Sequence, residues 1–193
     1  MDEKANILVH PGHAQSGDPA LKGLVRDAIA GKRTAQKEIY DRYSPLIYGI
    51  IRRYTRDEAA ACEILNDTFF KILTRLESFA FKGSIEGWMR TIAVHTITDH
   101  VRKNLRYNEA VNRDIEQPDA RVDQDITAHI AYKDLLGIIH ELPDTHRMVF
   151  NLFVFEDLSH KDISALLGIS ENNSRWHLND ARRRLKEKIT SAM

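Results

Sequence analysis

The chain has 193 residues, and its 28 Lys and Arg balance 28 Asp and Glu, which removes any bulk-charge argument for a nucleic-acid partner. A single cysteine, Cys62, excludes an internal disulfide and a cysteine-based zinc site. The polar start MDEKANILVH predicts no signal peptide, and no apolar run approaches the roughly 18 residues of a membrane helix, so a soluble cytoplasmic protein is expected.

In chain order, residues 1–18 read as a disordered tail, polar and carrying Pro11, Gly12 and Gly17. Residues 19–103 read as a first helical block, because apolar residues recur at three and four rather than at two. Between Ala61 and Leu76, the residues Ala61, Leu65, Phe69, Ile72 and Leu76 fall within an arc of about 80°. Phe70 lies outside that arc, among Glu63, Asn66, Asp67 and Thr74. It is either one more residue of a bundle core or an aromatic anchor with a polar rim, the pattern of a protein-docking face. The stretch from Trp88 to Val101 is apolar on most sides, with Trp88, Ile92 and Thr96 as its core line. Phe79 and Phe81, just before it, read as core or as stacking platforms.

Residues 104–125 carry Pro118 and little apolar material and read as an acidic flexible linker. Residues 126–193 read as a second helical block, in which Met148 to Phe155 is a buried helix. Charge is uneven along the chain: residues 1–103 carry net +3, 104–134 net −3, 135–169 net −3 and 170–193 net +3. The neutral total therefore conceals an acidic middle between two mildly basic regions.

The segment from Leu158 to Ile189 is the most informative. Ser159 and Asp162 sit in capping-box positions, Ile163, Leu166 and Leu167 give a short helix one apolar face, and Gly168 supplies the positive φ that ends it. Ser164 is small enough to let a second helix cross closely, and Ser170 caps that second helix. On it, Ser174, Leu178, Ala181, Leu185 and Ile189 form one narrow core stripe. Asn172, Trp176, Asn179 and Arg183 project from the far side, Trp176 about 160° from Leu178. Arg pairs with guanine, Asn with adenine, and apolar groups meet the thymine methyl, so this face suits a DNA major groove. Arg175 and Arg182 stand to one side, placed for phosphates. Asp180 is expected to accept from a cytosine amino group. The alternative for Trp176 is packing on another part of the same domain.

The unit from Glu141 to Lys188, with Leu142, Pro143, the apolar helix Met148–Phe155 and the Arg-rich helix Ala181–Leu185, resembles region 4 of bacterial sigma factors. ACEILNDTFFKIL, Ala61 to Leu73, resembles the helix of region 2.2, and Phe81 to Lys103 resembles regions 2.3 and 2.4. Both patterns in this order, with a short connector, are similar to an extracytoplasmic-function (ECF) sigma factor of the sigma-70 superfamily. The resemblance implies an all-α protein of two helical domains, region 2 over 19–103 and region 4 over 126–193. It implies promoter recognition for core RNA polymerase, with no enzyme activity, cofactor or metal of its own. Asn66, Asp67, Phe70 and Lys71 become contacts to the clamp helices of the largest polymerase subunit, and region 4 meets the flap of the second-largest subunit. Lys82, Trp88, Arg90, His95, Arg102 and Lys103 become contacts to the minus-ten element of promoter DNA. Asn172, Arg175, Trp176, Asn179, Arg182 and Arg183 become contacts to the minus-thirty-five element. An anti-sigma factor is a further implied partner, and no membrane insertion is.

Two departures from the family pattern bear on promoter choice. The family's "Ala-x-Asn-x-x-x-Asp" reads here as Ala93, His95 and Asp99, and Asp180 and Trp176 stand where Arg and a small polar residue are usual. Two competing readings exist. A stand-alone helix-turn-helix regulator would share the second block but would need neither the Asn66–Lys71 face nor a melting helix. A helical metalloenzyme would need paired ligand spacing on one helix face, which His95, Asp99 and His100 do not provide.

Overall fold

The computed structural model describes residues 18–111 and 128–191. It is all-α among these residues, with eight α-helices and one short 3₁₀ turn. The chain divides into two compact units, the first within 1–52 and 57–97, the second within 53–56 and 98–193.

The first unit contains α1 (Pro19–Ile29), α2 (Arg33–Ile51), α3 (Glu58–Thr74) and the first half of α4 (Ile85–Val111). Asp18 caps α1 through a bond from Ala20 N (2.9 Å), with Pro19 at the first helical position, where its missing N–H costs nothing. Gly31, at φ +81°, makes the tight turn into α2. Asp57 caps α3 by accepting from Ala59 N and Ala60 N. The apolar arc read on this helix is buried as expected, and Ile64 and Thr68 are buried with it. Thr68 satisfies its hydroxyl on Ile64 O (2.7 Å), which is how a polar side chain sits there without cost.

Helix α4 is covered on most of its circumference: Trp88, Met89, Ile92, Ala93, Val94, Thr96 and Ile97 are all buried. Between Thr91 and His100 only His95 and Asp99 are exposed. The helix runs on to Val111, beyond Lys103 where the linker was expected to begin; the remainder of that stretch to residue 125 lies outside the described residues, as does the tail 1–17.

The second unit contains α5 (Ala128–His140), α6 (Asp144–Val154), α7 (His160–Leu167) and α8 (Glu171–Ser191). Ile139, Leu142, Ala181 and Leu185 form one core cluster, flanked by Ile138, Phe150 and Phe155. The apolar run Met148–Phe155 is helical but buried on one face only: Met148, Val149 and Leu152 are inside and Val154 is exposed. Ser159 caps α7 by accepting from Asp162 N (3.2 Å) while its hydroxyl donates to the Asp162 carboxylate. Gly168 ends α7 at φ +71°. Ser170 caps α8 by accepting from Asn173 N (3.1 Å). The hydroxyl of Ser164 closes the turn on Ile169 O (2.6 Å). Ser174 of α8 is fully buried, and its hydroxyl meets Nδ1 of His160 on α7 at 2.9 Å.

Candidate nucleic-acid and polymerase interfaces

Three groups of side chains carry the expected chemistry. On α3, Phe70 is 70% exposed, and Glu63, Asn66, Asp67 and Thr74 around it face solvent as well. The ring belongs to no core. It is held out because Phe69, its neighbour, takes the buried arc and packs at a tilt against Tyr40 (4.6 Å between centroids). Lys71 is half-buried at the end of the same face.

Around α4 the outcome is mixed. Trp88, expected at the DNA surface, is only 9% exposed and packs against Phe79 at 5.5 Å. Phe79 is itself buried and lies 4.7 Å from the half-buried Phe81, so Phe79 and Trp88 belong to the core beneath the loop before α4. Phe81 adopts φ +53°, a left-handed conformation rare for a bulky residue, with Lys22 Nζ 5.9 Å from its ring. Lys82 and Lys103 are exposed, Arg90 and Arg102 partly so. Trp88, His95 and Arg102 recur at every seventh residue and so lie along one side of α4, leading from the buried aromatic to the exposed His95.

On α8, Ser174, Leu178, Ala181 and Leu185 are buried, and Ile189 is not: it is 43% exposed, lying beyond the last core layer formed by Ala181 and Leu185 with Ile139 and Leu142. Asn172, Arg175, Trp176, Asn179, Arg182 and Arg183 all face solvent, Trp176 at 59%. The arginines differ in how free they are. Arg175 bonds Glu171 at 3.3 Å, and Arg182 sits over the Phe153 ring at 5.5 Å. Arg183 donates to Asp180 through Nε (3.2 Å) and Nη2 (2.6 Å) and to Glu187 through Nη1 (2.8 Å). Its fork is therefore occupied along the helix.

Asp180 corrects the expectation placed on it. Its carboxylate accepts from Arg184 Nε (2.6 Å) as well as from Arg183, and Nε2 of His146 lies 3.1 Å away. The hydrogen bonds from Arg184 and Arg183 hold its pKa down to about 2. It is a tie point on the α6 side of the helix, not a free acceptor for a cytosine. The i,i+3 and i,i+4 spacing of Asp180 to Arg183 and Arg184 was the sequence signal for this. Nothing in the sequence linked it to His146.

A short α7 capped by Ser159, a glycine turn and an α8 with a polar, Arg-rich outer face form a helix-turn-helix; with the separate bundle bearing an exposed aromatic on α3, they define a two-domain transcription initiation factor. The comparisons agree. Residues 39–107 match sigma-70 region 2 and residues 132–185 match sigma-70 region 4. The chain is 29% identical over 168 residues to the RNA polymerase sigma factor YlaC of Bacillus subtilis, covering 83% of this chain and 95% of that one. It is 28% identical over 150 residues to the ECF sigma factor SigM of the same organism, covering 77% and 91%. Among solved structures, the sigma factor RpoE of Bartonella quintana, in complex with the anti-sigma factor NepR, shares the fold at TM-score 0.54 and 18% identity, over 80% of this chain and 96% of that one. The chain belongs to the sigma-70 family of RNA polymerase sigma factors, within its ECF group. A stand-alone helix-turn-helix regulator leaves the region 2 match without an explanation.

Among the described residues no helix is long and apolar enough to cross a membrane, and no cluster of His, Cys, Asp and Glu could hold a metal ion.

Proposed function

We propose that the chain confers promoter recognition on core RNA polymerase by dividing the work among three surfaces. The α3 face of Asn66, Asp67, Phe70 and Lys71 docks on the clamp helices of the largest subunit. The exposed side of α4, centred on His95 with Lys82, Arg90, Arg102 and Lys103, holds the opened minus-ten element, and Trp88 supports it from the core. Asn172, Trp176 and Asn179 read the minus-thirty-five element, while Arg175 and Arg182 meet phosphates. Region 4 also meets the flap of the second-largest subunit. Region 2 over 19–103 and region 4 over 126–193 act as the two domains, in the cytoplasm where polymerase works.

The observation that supports this most is the exposure of Phe70 on α3, an anchor that no packing within its unit requires. Hot-spot aromatics of this kind contribute about 2 kcal/mol or more to an interface. Phe70→Ala is expected to weaken binding to core polymerase by roughly thirtyfold or more without changing the thermal stability of the free protein. Wild-type affinity in both Phe70→Ala and Asp67→Ala would show that core polymerase is held elsewhere. An anti-sigma factor is a second protein partner on this reading, supported by the neighbouring fold solved with one bound.

A further inference from the structure

His146 is the first-turn residue of α6 that faces α8, and it is buried. Its ring meets two rings of α8: His177 edge-on at 4.6 Å and Trp176 edge-on at 5.3 Å. Trp176 and His177 themselves lie 4.9 Å apart. The indole of Trp176, more than half exposed at the surface read above as the base-reading face, is thus gripped on its inner side by two imidazoles. Edge-to-face ring contacts of this sort fix the plane of a ring that solvent alone would leave free.

The grip has an unusual polar economy. Nε2 of His146 lies 3.1 Å from Asp180 Oδ2, yet outside the directions a hydrogen bond needs. Among the described residues neither nitrogen of His146 has a hydrogen-bond partner, nor does Nδ1 of His177. Buried nitrogens left in this way are costly, so packing alone would favour a Phe or Leu in the same space. What an imidazole adds is a proton site.

We propose that His146 is a positioning residue for reading the upstream promoter element: its uncharged ring, together with His177, sets the plane of the Trp176 indole, and a proton on His146 releases it. The proposal rests on the reading that α8 contacts DNA bases. A charged His146 gains a strong acceptor in Asp180, so the ring turns its Nε2–H toward Oδ2, the oxygen already shared with Arg184, and away from the indole edge. The titratable and charged groups that act on it are Asp180, Arg184 and His177, each on α8, with Arg183 behind Asp180. Burial disfavours the charge first; Asp180 opposes this through its charge and its place as an acceptor beside Nε2, and Arg184 adds to the burial effect. For His177 burial again comes first and the His146 ring second. Both therefore titrate below the ordinary histidine value of 6.5. The sign follows: a lowered folded-state pKa keeps the grip complete above that value, and it is lost as pH falls through the lowered values. The added positive charge meanwhile strengthens attraction to phosphates of any sequence. Acid thus separates specific from non-specific binding, which simple loosening of the fold would not do.

The test has two arms. In the full-length protein, NMR follows the imidazole C–H of His146 and the indole N–H of Trp176 from about pH 7.5 to about pH 5.5, across the histidine range. The indole resonance is expected to move with the midpoint of His146, below 6.5. An indole that stays fixed while His146 titrates overturns the proposal. In the second arm, holoenzyme transcribes two templates, one with the preferred upstream element and one with that element scrambled. The ratio of transcripts is expected to fall about fivefold at the acid end, the size of one base-reading contact, and to keep its neutral value across the range in His146→Phe, which preserves the ring but not the proton site. A wild-type ratio independent of pH, or a His146→Phe ratio that falls as the wild type does, overturns the proposal. If Trp176→Ala leaves the neutral ratio unchanged, Trp176 reads no base and the positioning role fails even where the NMR coupling is seen, while the base-reading assignment of α8 stands or falls separately on Asn179→Ala.

Discussion

The two tryptophans are the most instructive pair in the molecule. Both sit on helices assigned to promoter DNA, Trp88 on α4 and Trp176 on α8; the residue pattern set Trp88 on a core line while the family resemblance made it a DNA contact, and the same pattern set Trp176 opposite the core stripe. In the structure Trp88 packs against a tilted Phe79 inside its unit, whereas Trp176 stands out from the α8 surface with only its inner edge held by imidazoles. The difference lies in the helices. Helix α8 buries one narrow stripe, so a residue opposite that stripe has nowhere to go but outward. Helix α4 is buried around most of its circumference, so the side chain alone does not tell inside from outside. A large aromatic on such a helix defaults to the core, and the outward positions are marked by the polar residues His95 and Asp99 instead.

That contrast is sharpest under truncation. Trp88→Ala should destabilise the first unit by about 3–5 kcal/mol, the cost of deleting a large buried aromatic, seen in denaturant unfolding. Unchanged stability with lost minus-ten recognition would break the comparison by making Trp88 a surface residue. Trp176→Ala should do the opposite. Its effect on unfolding should stay near 0.5 kcal/mol or less, while affinity for the upstream element drops by about 1–3 kcal/mol. Unfolding of the second unit with no separable loss of DNA preference would make Trp176 a packing residue after all.

A smaller effect separates the caps from the reading face. Ser159→Ala removes the acceptor for Asp162 N and should cost the second unit about 1 kcal/mol of stability, measurable by thermal melting, with the upstream sequence preference intact. Loss of preference without loss of stability would place Ser159 at the DNA.

The subtlest change falls at Asp180. Asp180→Ala frees Arg183 and Arg184 from the carboxylate they share. Affinity for DNA of any sequence should rise, and the slope of log affinity against log salt should steepen by about 1 for each arginine that reaches a phosphate. An unchanged slope would show that these guanidinium groups stay bound along the helix without it. Because the Asp180 pKa is lowered to about 2, its contribution to stability holds above its ordinary value of 3.8 and disappears only as pH falls toward 2.

Much of the second unit was legible before the structure. Ser159, Gly168 and Ser170 are local signals, set by backbone donors and by φ, and each does what its residue type dictates. The buried stripe of α8 followed from a period of 3.6 residues, which also set Phe70 outside the apolar arc of α3 but left open whether it was core or surface. Pairing across elements leaves no mark in a single helix, and that is where the reading stopped short. Ile189 continues the stripe in sequence, but the core ends one turn earlier. The ties of Asp180 to Arg183 and Arg184 were legible in their spacing on α8, whereas its approach to His146, on another helix, was not. Met148–Phe155, read as a buried helix, is helical with Met148, Val149 and Leu152 inside and Val154 exposed, because apolar density does not say how many neighbours a helix has.

The central claim is that one chain gives core polymerase two separately readable promoter contacts, through α8 and through α4. Transcription by purified core polymerase from a randomised promoter library tests it directly. The account predicts initiation that depends on this protein, with two recovered motifs: Asn179→Ala should relax only the upstream one, and His95→Asn should shift only the downstream one. No initiation above core polymerase alone, or both variants altering the same motif, would contradict it.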